Sequence, residues 1–303
     1  MDRSHSNVDT LPDALASSIR SALDDDLVGI YLYGSCVSGG FDPGVSDIDL
    51  VAVTVPEADQ LDLAGLERVH DDFVSLHPDW IDRVEVVYIG RAALRSFRTS
   101  AARLAVISPG EPFHVRDDRV VEWLQNWYLI RETGVVLFGP PAASLVPPIS
   151  MAEFVAAAAR YADQISRQSL VETTPGARAY AVLTICRALR TVETGTHGSK
   201  QEGAAWTRER MPEWAWLVDA ALRCRLSRGA IGLDDDRTRA GSDELIALVA
   251  ARVDQATTAK KPPELDYASG GAARRCIRLP IVASAAPKLS TIPTANSHHI
   301  EPS

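Results

Sequence analysis

Apolar and polar positions follow two different rhythms along the chain. In the first half, short apolar runs rich in β-branched and aromatic residues alternate with segments of helical period. Residues 28–33 (VGIYLY), 48–55 (IDLVAVTV) and 81–89 (IDRVEVVYI) predict strands. Leu11, Leu15, Ile19 and Leu23 recur every four residues and predict a helix over 11–24, with Thr10 as its cap and Pro12 in its first turn. A second amphipathic helix is predicted over 57–76, stopped by Pro78. Residues 90–97 read as a short helix, 108–112 (SPGEP) as a loop, 118–132 as a helix carrying Trp123, Trp127 and Tyr128, and 134–138 as a short apolar element.

After Gly139-Pro140-Pro141 and Pro147-Pro148 the period becomes helical throughout, which predicts a domain junction near residue 149. Ser150 and Glu153 have capping-box spacing, so a helix over 151–170 is expected. Further helices are predicted over 177–193, ended by Gly195, and over 204–210, 214–228 and 242–256. Asp234-Asp235-Asp236 reads as a solvated loop. From Thr257 the chain is rich in Pro, Ala, Ser and Thr without a period; a disordered tail over 257–303 is expected, with His298-His299 as no metal site.

Composition narrows the class. The chain has 303 residues, 46% of them hydrophobic, enough for two modest cores. No apolar run reaches membrane-spanning length and the first residues lack a signal-peptide core, so a cytoplasmic protein without a membrane partner is expected. Four scattered cysteines (Cys36, Cys186, Cys224, Cys276) argue against a disulfide framework or a zinc site. Net charge is −9 and unevenly placed: residues 1–150 carry 23 Asp and Glu against 11 Lys and Arg, whereas 151–256 carry 14 of each. An acidic first half disfavours a nucleic-acid polymer and suits a small cationic molecule, although solubility alone can require such charge.

The candidate chemistry lies in residues 33–50. A strand runs into Gly34-Ser35, where glycine lets a ligand approach the backbone and serine offers N–H and O–H to a phosphate oxygen. A loop of small residues then leads to Ser46-Asp47-Ile48-Asp49-Leu50. Asp47 and Asp49 are two apart on a strand and share a face. Paired carboxylates there suit Mg²⁺, which also accepts phosphate oxygens. Glu85, between Val84 and Val86 in a strand, is a third candidate carboxylate, as metal ligand or as the base that takes a proton from an attacking hydroxyl; the base role is favoured.

This string resembles the signature of the nucleotidyltransferase (DNA polymerase β-like) superfamily. The second half narrows the resemblance. Val182-Leu183-Thr184-Ile185-Cys186-Arg187, Thr194-Gly195, Lys200 and Ala205-Trp206 resemble the C-terminal helical domain of the streptomycin/spectinomycin 3″/9 aminoglycoside adenylyltransferases. The resemblance covers most of residues 25–256 and implies a mixed-sheet α/β domain over 1–149 followed by an all-α bundle over 150–256. It implies ATP as co-substrate with Mg²⁺ at Asp47, Asp49 and Glu85. Gly34, Ser35, Ser46, Arg187 and Lys200 would face the nucleotide, and Glu85 would deprotonate an antibiotic hydroxyl. Trp123 locally matches a tryptophan that contacts the acceptor in that family, although its distance from Gly139-Pro140 is shorter than the family's and a core position fits it as well. At the family's acidic acceptor contact this chain has Ala177. The expected partner is therefore a cationic aminoglycoside, with the protein a monomer or weak dimer. Other acceptors stay open: another small molecule, or a protein side chain, as in antitoxin-like nucleotidyltransferases. A non-catalytic nucleotide binder is disfavoured by three converging carboxylates.

Overall fold

The computed structural model describes residues 10–169 and 174–259. Its first half is a six-stranded sheet in the order β5-β4-β3-β2-β1-β6. The strands are β1 (Leu27–Tyr33), β2 (Ile48–Thr54), β3 (Val84–Gly90), β4 (Ala101–Ser108), β5 (Glu111–Arg119) and β6 (Val135–Phe138). β2 and β3 are parallel and every other pairing is antiparallel, so the sheet is mixed as expected. Helices α1 (Leu11–Leu23), α2 (Ser35–Ser38), α3 (Leu63–Leu76), α4 (Arg91–Arg95) and α5 (Leu124–Thr133) accompany it.

Alternation along the strands sorts their side chains onto two packed faces. Ile30, Leu50, Val86 and Tyr88 face α1 and α3. Tyr31, Tyr33, Val51, Val53, Val87 and Ile89 face α5, with Trp123, Leu124 and Trp127. Asp49 and Glu85 stand between residues of the second face, so the same alternation that buries Val51 and Val87 turns both carboxylates towards α5.

The second half is helical: α6 (Met151–Ser169), α7 (Pro175–Thr194), α8 (Lys200–Arg210), α9 (Ala215–Leu226) and α10 (Asp236–Ala259). α7 is apolar nearly all round and is packed by the other four. The Ser150–Glu153 capping box forms as expected: the Glu153 N–H donates to Ser150 Oγ, and the Ser150 N–H donates to Glu153 Oε2. Gly195 ends α7 in the left-handed region at φ 71°.

Several boundaries differ from expectation, with identifiable causes. Thr10 precedes α1 without a side-chain capping bond. The predicted helix over 57–76 begins at Leu63, where Asp62 caps it through the Gly65 N–H. The loop after Gly34 contains the single turn α2. Of residues 108–112, Pro109 and Gly110 alone form a turn, closing the β4–β5 hairpin with Ser108 paired to Glu111; the period did not reveal these two strands. The helix expected from Asp118 starts at Leu124, because Asp118 belongs to β5. α8 begins at Lys200 rather than Ala204, through a second capping box of Ser199 and Glu202. Asp235 is no idle loop charge, since it accepts the Thr238 N–H at the start of α10. Cys36, Cys186 and Cys224 are free thiols; Cys276, His298-His299 and the predicted tail lie outside the described residues, save its first three positions, which continue α10. Among the described residues no helix is long and apolar enough to cross a membrane.

One buried group links this fold to pH. His70 on α3 is 1% exposed, and its Nε2 lies 2.8 Å from the Tyr88 hydroxyl. Burial lowers its pKa to about 4. The unfolded chain protonates this histidine near its ordinary value, so between about 6.5 and 4 the unfolded state binds more protons. The stability is fully present above about pH 6.5 and is lost as pH falls towards 4. We expect denaturant unfolding at pH 5 to show a loss of about 2 kcal/mol from this group. His70→Gln, which can keep a bond to Tyr88, should remove that component of the pH dependence.

Candidate active site

The site is built on one rung of the sheet. Tyr33 pairs in register with Asp49, and Asp49 with Glu85, so three neighbouring strands place three polar side chains in a row on the α5 face. The parallel register of β2 and β3 sets the two carboxylates side by side. The Tyr33 hydroxyl donates to Glu85 Oε1 at 3.1 Å and accepts from Asn126 Nδ2 of α5 at 2.8 Å. Asp49 takes the Ser35 N–H, which turns its carboxylate onto the Gly34–Ser35 corner.

One cavity of about 240 Å³ is lined by Gly34, Ser35, Ser46, Asp47, Asp49, Glu85 and Trp123 from the first half and by Arg187 and Lys200 from the second. The candidate nucleotide, metal and base residues named from the sequence, and Trp123, therefore line one cavity. Trp123 contributes one edge only: it is 5% exposed, donates its indole N–H to Asp118 Oδ2 and stacks on Trp127. Ala177, 1% exposed, does not line this cavity.

Burial disfavours the charged form of all three carboxylates. Burial raises the pKa of Asp47, against Lys200, Arg225, Arg83 and Arg228. Burial raises Asp49 further, helped by the charges of Glu85 and Asp47. Glu85 rises to about 6 through burial and the Asp47 charge. Lys200 falls to about 7, through burial and then repulsion from Arg225 and Arg187. Among the described residues no three His, Cys, Asp or Glu side chains form a group placed to hold a metal ion by themselves. Oxygen donors that repel one another and share a cavity with the cationic Arg187 and Lys200 nevertheless fit Mg²⁺, which takes part of its shell from water and phosphate.

A second cavity, of about 800 Å³, adjoins the first. Asp47, Tyr180, Lys200 and Arg225 line both. Asp82 of the turn before β3, Glu111 and Pro112 of β5, and Gly176 and Ala179 of α7 line the second and not the first.

The comparisons with known proteins match both halves. Residues 16–105 match the nucleotidyltransferase domain, and residues 144–251 match the C-terminal domain of aminoglycoside adenylyltransferases. The first half thus carries a nucleotidyltransferase domain, and the second half matches the C-terminal domain of aminoglycoside adenylyltransferases. Spectinomycin 9-adenylyltransferases of Staphylococcus aureus, strains Mu50 and N315 among them, are 25% identical over 240 residues, covering 76% of this chain and 88% of theirs. A spectinomycin adenyltransferase from Enterococcus faecialis, solved with ATP and spectinomycin, shares the fold with a TM-score of 0.60 at 16% identity, over 80% of this chain and 98% of that one. The chain is thus an enzyme of nucleotidyltransferase type.

In this nucleotidyltransferase, sequence reasoning missed a set of contacts that ties the signature loop to the helical half. Arg225 of α9 pairs with Asp42 at 3.2 Å and reaches Ser46 Oγ at 3.4 Å. Gln201 of α8 donates to Asp42 Oδ1, and Arg228 donates to the Gly44 carbonyl. Arg83 holds the Ser46 carbonyl from beneath. No local pattern signals pairs separated by 159 to 184 residues. The polarity of Asp42 inside an otherwise small-residue loop was the one available hint.

Proposed function

We propose that the protein transfers AMP from ATP to a hydroxyl of an aminoglycoside of the streptomycin/spectinomycin kind. The observation that carries this reading is the Tyr33–Asp49–Glu85 rung, which opens into one cavity with Gly34-Ser35, Arg187 and Lys200. We take the nucleotidyltransferase unit to end near residue 149, so that Arg187 and Lys200 reach the nucleotide from the second unit. Ser35 and Ser46 offer hydrogen bonds to phosphate oxygens, and Gly34 leaves room for them. Arg187 and Lys200 offset triphosphate charge that the acidic first half cannot. Asp47 and Asp49, with Glu85 as a further donor, would hold Mg²⁺, which when bound neutralises charge on the phosphates.

Glu85 takes the proton of the acceptor hydroxyl. The acceptor oxygen forms its bond to the α-phosphorus, the bond from that phosphorus to the leaving diphosphate oxygen breaks, and the electron pair departs with diphosphate. Most of the protein's contribution is positioning and charge stabilisation.

The acceptor enters through the second cavity. There Arg83, Arg225 and Arg228 are engaged by the 42–46 loop, whereas Asp82, which accepts the Gly110 N–H at 3.4 Å, and Glu111, 3.7 Å from His114 Nε2, stand at the hairpin end with no Arg or Lys partner among the described residues. They supply negative charge for a cationic acceptor where Ala177 supplies none. The experiment is AMP transfer followed by mass spectrometry with labelled ATP, Mg²⁺ and an aminoglycoside panel. Transfer to spectinomycin or streptomycin is expected; transfer only to another acceptor, or none, would overturn the assignment. In the same assay, Asp82→Asn with Glu111→Gln should raise the acceptor KM about two- to tenfold while leaving the ATP KM unchanged, as for two partly exposed charge contacts.

A further inference from the structure

Lys200 stands where the two cavities meet, so its ammonium could serve either. Its backbone is fixed, as it opens α8 behind the Ser199–Glu202 capping box. Its side chain is long and flexible, and the charges around it pull in different directions. Asp47 and Asp49 attract it, while Arg225 and Arg187 repel it. Among the described residues it forms no ion pair with any carboxylate. What it does contact is an aromatic face: Nζ lies 4.2 Å from the centroid of the Tyr180 ring.

That ring is itself held firmly. Tyr180 sits on the central helix α7, and its hydroxyl lies 2.8 Å from the hydroxyl of Tyr161 on α6. Tyr180 lines both cavities and forms part of the wall between them, whereas Tyr161 lines only the first. A ring face attracts a cation without neutralising it, and the attraction grows as the ammonium is desolvated. A carboxylate in the same place would consume the charge that a phosphate needs.

We propose that Tyr180 is a positioning residue for Lys200, its ring holding the ammonium at the junction with its charge available to the nucleotide phosphates. This rests on the adenylylation reading for the identity of the anion. Without the ring, Lys200 swings towards Asp47 or into the second cavity. The effect belongs to the ring face and not to the hydroxyl, so Phe should replace Tyr at this position and an aliphatic residue should not.

The test is direct calorimetric titration with Mg²⁺ and a non-hydrolysable ATP analogue, with no acceptor present. Tyr180→Phe should hold Kd within about twofold, and Tyr180→Leu and Tyr180→Met should each weaken it about five- to tenfold, the range for a desolvated cation–π contact. Two aliphatic variants guard against one that fails to fold, which thermal unfolding would reveal. In a Lys200→Met background, Tyr180→Leu should add less than about twofold, because the group it positions is gone. A merely structural role for the ring predicts the same loss with or without Lys200. The proposal is overturned if Phe is as damaging as Leu, if Leu and Met leave Kd unchanged, or if the loss persists in full beside Lys200→Met. If wild-type protein binds the analogue but adenylylates no drug, only the acceptor reading fails. If it binds no ATP analogue at all, both fall.

Discussion

Glu85→Gln should lower the rate of AMP transfer about a thousandfold while leaving the KM for ATP within a few-fold. The substitution keeps size and hydrogen-bonding shape but cannot accept the acceptor's proton, and general-base catalysis contributes about 10²–10⁴. Its neighbours fix where that base points. Tyr33 donates to one oxygen at 3.1 Å, and Ser108 stands 3.5 Å from the other. Asn126 in turn donates to the Tyr33 hydroxyl and so commits its proton to Glu85. Asp49→Asn should be at least as damaging, but with a different signature. It removes a charge from the proposed metal pair, so the Mg²⁺ concentration needed for half-maximal rate should rise. Single-turnover AMP transfer across a Mg²⁺ series separates the two variants. Unchanged transfer in Glu85→Gln would remove Glu85 from the base role, whatever Asp49→Asn does.

The carboxylates at the site were legible in the sequence because their information is local, whereas Tyr33 carried no such signal. Asp49 stands at the mouth of an apolar strand with Asp47 just before it, and Glu85 stands out as a carboxylate in an apolar run. The pairing of Asp49 with Glu85 was not legible, since parallel register is set by the packing of β2 and β3 on both faces. β5 escaped for a different reason. Its sequence, EPFHVRDDR, is half-buried on an edge strand, and its charged residues answer one another: Arg116 forks onto Asp118 at 2.7 Å, and Trp123 donates to the same oxygen. Composition reads such a strand as polar surface. The helix expected to start at Asp118 failed through that same side chain, which is buried and belongs to the strand. Arg187 and Lys200 were found through resemblance, and physics explains their meeting. Gly203 on α8 lets the two helices approach until a Cβ there would lie 2.6 Å from the Arg187 Cα. That close approach brings the start of α8, with Lys200, towards the Arg187 side of α7.

Gly34→Ala should abolish transfer almost as completely as loss of a carboxylate, although no side chain that reacts is removed. Gly34 has φ 70° and ψ −145°, a region that essentially only glycine occupies, at a cost of about 1–3 kcal/mol for other residues. Strain is the smaller part of the effect. A Cβ at Gly34 would overlap Asp49 Oδ2, the carboxylate that leans on this corner to take the Ser35 N–H. The methyl must therefore push Asp49 off the Ser35 N–H, or bend the corner that is to receive phosphate. Either movement exceeds the displacement of about 1 Å that already costs a hundredfold in a positioned site. Gly39 supplies the control. It also has positive φ, at 75°, but a Cβ there meets nothing within 4 Å. Gly39→Ala should cost about 1–2 kcal/mol of stability for the left-handed backbone and little activity. Thermal unfolding beside single-turnover transfer distinguishes the two. If both glycine variants lose stability and only Gly34→Ala loses more than about a hundredfold in rate, the corner acts by holding Asp49 in place. Equal activity losses in the two variants would assign the effect to backbone strain and remove Asp49 from the account.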